Sequence, residues 1–217
     1  MTKQHGNMYV WVTHTFNVIK GECPHSCSYC YCKAWGKQRP LHFDESELST
    51  NLGICNYIFV GSGTDMWSKE VPDYWIDSVL ERCRTFPQNT YLFQSKNPQR
   101  FHDWINDFPM QTILATTIES SRCCCDFTPN APCILERLLA FEKLPTRKTI
   151  TIEPIMDFDL ADMVSNIRDC KPEFVSIGAD SKGHHLPEPA SDKILRLIDE
   201  LQKFTIVKQK GNLKRLL

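Results

Sequence analysis

Cys23-Pro24-His25-Ser26-Cys27-Ser28-Tyr29-Cys30 is the stretch that decides how this chain is read. Its thiols stand in a C-x3-C-x2-C run, with an aromatic residue directly before the last of them. Three soft donors this close suit a metal centre better than a disulfide framework. An odd thiolate set can hold three irons of a cubane and leave the fourth open for chemistry. The spacing by itself leaves two other readings standing, zinc ligation and unrelated buried thiols.

Around this run the chain alternates between two kinds of segment. Short, apolar, β-prone runs predict strands at Tyr9 to Thr13, Tyr57 to Val60, Thr90 to Gln94, Thr112 to Thr116, Thr149 to Glu153, Phe174 to Ile177 and Thr205 to Val207. Their brevity and β-branched content suit a parallel sheet buried on both faces. Longer stretches between them predict helices at Tyr29 to Gly36, Val71 to Cys83, Pro98 to Asn106, Cys133 to Phe141, Asp159 to Arg168 and Ser191 to Lys203. In the last, Ile194, Leu197, Ile198 and Leu201 recur at helical spacing as a buried stripe. Pro72 and Pro98 fit helix starts, and Ser191 is placed to cap the helix it opens. Such alternation predicts an open or closed α/β barrel whose functional residues collect at the carboxyl ends of the strands. Pro40 to Asn56 departs from the pattern: Phe43-Asp44 and Leu48 fit a short helix or an irregular crossover, and no chemistry is assigned there. No linker, repeat or low-complexity tract interrupts the 217 residues, so one domain over 1–217 is expected.

Formal charge is −1, from 25 Lys and Arg against 26 Asp and Glu, so no whole-protein field selects nucleic acid. A local basic patch around Lys33, Lys37 and Arg39 keeps that partner open. No apolar run reaches membrane-spanning length, and the polar opening Met1-Thr2-Lys3-Gln4-His5-Gly6-Asn7 lacks the apolar segment of a secretion signal. A cytoplasmic protein with no membrane partner is expected. In a reducing compartment the 11 cysteines read as ligands and free thiols. No glycine-rich run ends in Lys-Ser or Lys-Thr and no nucleophile stands in a diagnostic elbow, which leaves kinase and hydrolase chemistry without support.

With Phe16-Asn17-Val18-Ile19-Lys20-Gly21-Glu22 leading into the cysteine run and Tyr31-Cys32 following it, the sequence resembles the radical S-adenosylmethionine (radical SAM) superfamily. Within it, the chain looks like a phage and bacterial branch distantly similar to the spore photoproduct lyases. The resemblance implies a partial (β/α)6 barrel covering nearly the whole chain, with the cysteine loop after the first strand. It implies a [4Fe-4S] cluster on Cys23, Cys27 and Cys30, S-adenosylmethionine chelating the fourth iron, and an external or protein electron donor. Reductive cleavage of the cofactor to a 5′-deoxyadenosyl radical would then modify or repair an unidentified substrate, with a nucleotide or nucleic acid among the options. Tyr29 and Tyr31 would pack around the cluster. The alternative from another class is a non-catalytic metal-binding or nucleic-acid-binding protein whose cysteines stabilise the fold.

A second site is expected at Gly61-Ser62-Gly63-Thr64-Asp65, directly after a predicted strand. Glycines let backbone approach a ligand, and exposed amides and hydroxyls receive charged groups; a strand-ending turn is the plainer reading. By resemblance this is the element that holds the amino end of S-adenosylmethionine, with Asp65 as the acidic partner because the usual Gly-Gly-Glu is absent. Ser95 and Lys96, Thr117 and Glu119, Glu153, and Gly178 with Asp180 end the other predicted strands. They supply the polar groups a ligand-filled barrel mouth needs, or else ordinary loops and caps. By resemblance Glu119 binds ribose, while Glu153 and Met156 border adenine or substrate. Lys96 and Asp180 face the substrate, Lys96 neutralising a phosphate or carboxylate unless Asp65 or Glu119 takes up its charge.

Cys123, Cys124 and Cys125, followed by Cys133, are expected on a loop opening to the catalytic side. Two of them with Cys133 and Cys32 would suit a second metal, one thiol would suit return of a hydrogen atom to a product radical, and a compact apolar loop explains them without chemistry. Cys55, Cys83 and Cys170 read as packing thiols. His25 is a neighbour of the ligands, and His184 and His185 are expected in a surface loop. The basic end, Lys208 to Leu217, reads as a solvated closing segment, with phosphate contact as its second reading.

Overall fold

Period-two alternation of apolar side chains along short strands builds a core on each side of one sheet. The computed structural model describes residues 1–3 and 9–217. Its strands are Thr2–Lys3 (β1), His14–Phe16 (β2), Ile19–Lys20 (β3), His42–Phe43 (β4), Tyr57–Val60 (β5), Thr90–Ser95 (β6), Thr112–Thr117 (β7), Lys148–Ile152 (β8), Phe174–Ile177 (β9) and Ile206–Gln209 (β10). Eight of them form a sheet in the order β1-β2-β5-β6-β7-β8-β9-β10, and β3 pairs with β4 in a separate antiparallel ribbon. Pairing is parallel from β2 through β10, with β1 antiparallel on the edge. Helices α1 (Glu45–Leu48), α2 (Asp73–Arg84), α3 (Ile134–Glu142), α4 (Leu160–Cys170) and α5 (Ser191–Gln202) fill the connections, with 3-10 turns at Tyr31–Trp35, Pro98–Trp104 and Gly211–Leu216. This is an α/β barrel of the kind the alternation predicts, in the partial form that the resemblance implies.

Ile58, Val60, Tyr91, Phe93, Leu114, Ile150 and Val175 pack with the helices in the main core. The intervening Phe59, Leu92, Ile113 and Ala115 belong to a smaller core on the concave face, together with Tyr9 and Val12. That smaller core explains why the first predicted strand is displaced. Tyr9 to Thr13 is a turn, closed by Val12 N donating to Tyr9 O at 3.0 Å, and the strand follows it at His14–Phe16. The turn plugs the barrel: Tyr9 Oη bonds Gln94 at 2.7 Å and Thr151 at 2.6 Å, and Trp11 meets Tyr57 and Phe174 edge-on. A plug and a buried strand need the same apolar residues, so periodicity cannot separate them.

Most other elements begin or end within two residues of expectation. Pro72 stands before α2 and Pro98 opens its 3-10 turn, whereas the cap position of α5 falls on Ala190, so Ser191 does not cap it. Pro40 to Asn56 holds β4 and the single-turn α1, capped by Asp44 through Ser46 N at 3.0 Å and Glu47 N at 3.2 Å. Of the polar opening, residues 4–7 lie outside the described residues. Among the described residues no helix is long and apolar enough to cross a membrane.

Candidate cofactor and metal site

The carboxyl ends of the parallel strands open into a cavity of about 1640 Å³. Sites for one drug-sized molecule run to roughly 300–1,000 Å³, so this one has room for two ligands side by side. The cysteine loop, the Gly61 to Asp65 loop, Ser95, Lys96, Thr117, Glu153, Asp180 and the C-terminal segment all contribute to its wall. Glu119, Met156 and the Cys123 to Cys125 trio do not line it.

The cysteine loop starts at Gly21, whose φ of +100° favours glycine and whose Cβ would stand 2.3 Å from Pro40 O and 2.7 Å from Arg39 O. Only a bare backbone passes there. Two turns then space the thiols, with Ser26 N donating to Cys23 O at 3.1 Å and Cys30 N to Cys27 O at 3.2 Å. Outside contacts fix the loop: Ser28 N donates to Phe127 O at 2.8 Å, Asn130 Nδ2 to Pro24 O at 3.0 Å, and His25 Nε2 meets Asp65 Oδ2 at 2.9 Å. His25 is therefore a buried tether of the loop that borders the cavity beside the thiols. Burial and the Asp65 charge push the Cys23 thiol up to about 12, and burial raises Cys27 against the pull of Lys96. A hydrogen bond from Cys32 holds Cys30 below the ordinary thiol range.

Among the described residues, no three His, Cys, Asp or Glu side chains converge as a single metal ion requires. A cubane asks something different. Each thiolate meets its own iron, so the sulfurs need only face one common space. Cys23, Cys27 and Cys30 are free thiols on one loop at the cavity wall, and in number and donor type they match what such a cluster takes. Cys32, beside Cys30, also places its thiol 3.3 Å from Gly63 O.

Two carboxylates expected to bind cofactor are already engaged within the protein. Asp65 accepts from Trp67 N at 3.0 Å, Ser95 Oγ at 2.9 Å and Lys96 N at 2.8 Å as well as from His25, which uses its lone pairs. Burial pushes its pKa up, but His25 and these hydrogen bonds outweigh it and the net direction is down. Asp65 thus ties the cysteine loop to the ends of β5 and β6. Glu119 is fully buried, facing Arg137 Nη1 at 2.9 Å, Lys96 Nζ at 3.5 Å and the Tyr29 hydroxyl, which donates to it. Glu119, expected at the ribose, does not line the cavity and holds Tyr29 and Lys96 from behind its wall. Arg137 is the residue the sequence reading missed. Its signal was there: it sits three after Ile134 and four before Phe141, on the core-facing stripe of α3, where a charge needs a buried partner.

No family model matches the chain, and no curated protein does. Among solved structures, a spore photoproduct lyase variant with bound AdoMet and dinucleoside spore photoproduct superposes with a TM-score of 0.63 at 10% identity, over 93% of this chain and 64% of that one. The fold is similar to that of spore photoproduct lyase. A second variant of that enzyme gives a TM-score of 0.63 at 13% identity, over 94% of this chain and 65% of the other. The chain therefore spans just under two thirds of the length of these enzymes, and the likeness is one of fold, an α/β partial barrel.

Around the rest of the mouth the structure places the remaining candidates. Ser62 Oγ donates to Asn17 Oδ1 at 3.2 Å and Thr64 Oγ1 to Gly21 O at 2.7 Å, binding the glycine-rich loop to the root of the cysteine loop. A Cβ on Gly63 would meet nothing within 4 Å, so the cavity has free space beside this residue, while its N–H is given to Asn17 Oδ1 and its carbonyl accepts from Cys32, each at 3.3 Å. Glu153 accepts from Lys210 Nζ at 2.6 Å and Asn212 Nδ2 at 3.0 Å. Asp180 receives His184 Nδ1 at 2.6 Å, and both histidines of that loop line the cavity. The C-terminal segment is wall as well, since Lys210, Asn212, Lys214 and Arg215 border the space. Gln209, Gly211, Lys214, Arg215 and Leu217 stay exposed, as a solvated closing segment would be. Cys124 is buried against Met156, while Cys123 and Cys125 are exposed, so the trio is not brought to the cavity. Of the packing thiols, Cys83 and Cys170 are buried as expected and Cys55 is exposed.

Proposed function

We propose that the protein is a cytoplasmic radical SAM enzyme, one barrel domain over 1–217, that modifies or repairs a nucleotide or nucleic acid. In this reading Cys23, Cys27 and Cys30 hold a [4Fe-4S] cluster, S-adenosylmethionine binds beside it, and an external or protein donor supplies electrons. The observation that carries it is the placement of three free thiols on one loop at the wall of the strand-end cavity. Together the two cofactors supply one-electron cleavage of the sulfonium to a 5′-deoxyadenosyl radical. The protein's own residues orient and enclose. Asp65 and His25 hold the cysteine loop, Gly63 with no side chain leaves space for the methionine end, and Glu153 with Lys210 offers a charged pair farther round the wall. Lys96 keeps its charge: burial lowers its pKa, yet the neighbouring Cys27 and Glu119 raise it more.

A nucleotide substrate is favoured by the rim. Lys182 and Lys214 border the cavity as exposed cations suited to phosphate, and Trp35, 67% exposed, stands 5.3 Å from Tyr31 as a surface on which a base can stack. The dinucleoside in the spore photoproduct lyase structure supports the same class. Anaerobic reconstitution tests the reading. The chain should take up iron with a [4Fe-4S] electron paramagnetic resonance signal that changes on adding S-adenosylmethionine, and should form 5′-deoxyadenosine under reduction. A variant with Cys23, Cys27 and Cys30 all replaced by alanine should do neither. A native signal in that variant, or a stable zinc site with no product in the unaltered chain, would favour the non-catalytic alternative.

A further inference from the structure

The loop between β7 and α3 carries a second cluster of chemistry-bearing residues, Cys123-Cys124-Cys125, away from the cavity. In extended backbone the side chains at i and i+2 share a face and the one between them points away. This loop follows that rule and tightens it. Cys124 turns inward, 5% exposed and 3.8 Å from Met156 Sδ, while Cys123 and Cys125 turn out to solvent. A turn begins at Cys124, whose carbonyl accepts from Phe127 N at 2.9 Å and Thr128 N at 3.0 Å, and it brings the two outer sulfurs to 2.8 Å. A disulfide bond measures about 2.04 Å, so little movement separates this pair from a covalent one.

We propose that Cys123 and Cys125 form a reversible dithiol–disulfide couple, a surface modification site oxidised by low-molecular-weight disulfides and reset by the corresponding thiols. The Cys123 thiolate attacks one sulfur of the external disulfide; an S–S bond forms to that half, and the other half leaves as a thiolate and takes a proton. Cys125 then attacks the Cys123 sulfur, and the second half leaves in the same way. The protein loses two electrons and two protons, and the external disulfide becomes two thiols. The order of attack follows from the pair's own hydrogen bond, which holds Cys123 below the ordinary thiol range and raises Cys125. Exposure gives both access to the reagent, whereas Cys124 is buried with its thiol pushed up to about 12. Cys133, close enough to add to the rise of Cys125, is the competing partner. The loop also backs the cysteine run through Phe127 O and Asn130, so the couple sits on the strip that supports the proposed cluster ligands.

The test uses the whole chain, equilibrated anaerobically across ratios of reduced to oxidised glutathione, with free thiols then trapped by N-ethylmaleimide. Mass spectrometry of the tryptic peptide 123–137 reads all four of its cysteines at once. The expected oxidised form has lost two hydrogens, carries label on Cys124 and Cys133, and reverts as the thiol ratio rises. Cys125→Ser should leave a lasting glutathione adduct on Cys123, because the second attack is gone. The proposal fails if the peptide stays fully labelled where exposed Cys55 is already glutathionylated. It also fails if the bond formed includes Cys124 or Cys133, or if the unaltered chain keeps the adduct.

Discussion

Replacing Arg137 by methionine should cost the apo protein about 3–5 kcal/mol, the loss expected when one member of a buried ion pair is removed. Arg137 and Glu119 are both 0% exposed and 2.9 Å apart. The guanidinium also donates to Pro132 O at 2.7 Å, Thr117 O at 3.1 Å and Thr128 Oγ1 at 3.2 Å, and each acceptor left bare adds roughly 1–3 kcal/mol, not additively. Lys96, 3.5 Å from Glu119, still compensates part of its charge, which sets the expectation toward the lower end. Glu119→Gln paired with Arg137→Met should be less harmful than the single losses summed, since the cycle removes both charges. Urea denaturation read by circular dichroism gives each value. A loss under about 1 kcal/mol, or strict additivity in the double variant, would refute the buried-pair account. Acid adds a second arm. Burial raises the Glu119 pKa, but Lys96, Arg137 and the Tyr29 hydrogen bond bring it below the ordinary carboxylate range, with Cys27 and Cys124 the other titratable groups beside it. Its folded value is depressed, so this stability is complete above the unfolded carboxylate pKa of about 4.3 and is lost as pH falls through the folded value. In Arg137→Met, acid unfolding should begin at higher pH.

Gly63→Val should leave the denaturation midpoint unchanged, because its Cβ enters open space, yet weaken S-adenosylmethionine binding to the reconstituted protein by about tenfold, roughly 1.4 kcal/mol; unchanged affinity by calorimetry removes the loop from the cofactor site. Gly21→Ala should destabilise by roughly 1–3 kcal/mol or more through its φ of +100° and the 2.3 Å approach to Pro40 O; an unaltered urea midpoint contradicts this. Cys124→Ala should lower stability by about 1 kcal/mol or more without altering thiol oxidation at Cys123, and labelling with N-ethylmaleimide checks the second half.

The sheet was largely legible because its evidence is local. Tyr57 to Val60 and Phe174 to Ile177 match β5 and β9 residue for residue, since an apolar run of strand length bounded by turn residues carries its own limits. Tyr9 to Thr13 was not, because its burial comes from lying inside the barrel and not from pairing in the sheet. The site divides the same way. Polar residues at strand ends were visible, but their partners come from far along the chain: Glu119 from Arg137, 18 residues on, and Glu153 from Lys210, 57 residues on. Nothing within a strand shows whether its terminal carboxylate faces a ligand or a distant arginine. The basic C-terminal segment joined the wall by the same kind of long-range contact.

The engagement of Asp65 and Glu119 bears on how the cavity can recognise a cofactor. Asp65 links the cysteine loop to the ends of β5 and β6, and Glu119 links Tyr29 of that loop to Lys96 after β6 and to Arg137 in α3. Both tethers join separate elements through desolvated charge, and loops held in this way lose less conformational entropy when a ligand enters. The same tethers leave few lone pairs for that ligand. The space beside Gly63, whose N–H is already given to Asn17 Oδ1 at 3.3 Å, and the partly exposed Glu153 are the points of the wall left for approach, while the buried carboxylates hold neighbouring groups in place. Glu153 itself depends on a bare neighbour: a Cβ on Gly178 would stand 2.7 Å from its Oε1, so any side chain there would force the Glu153 carboxylate out of its contact with Lys210 and Asn212.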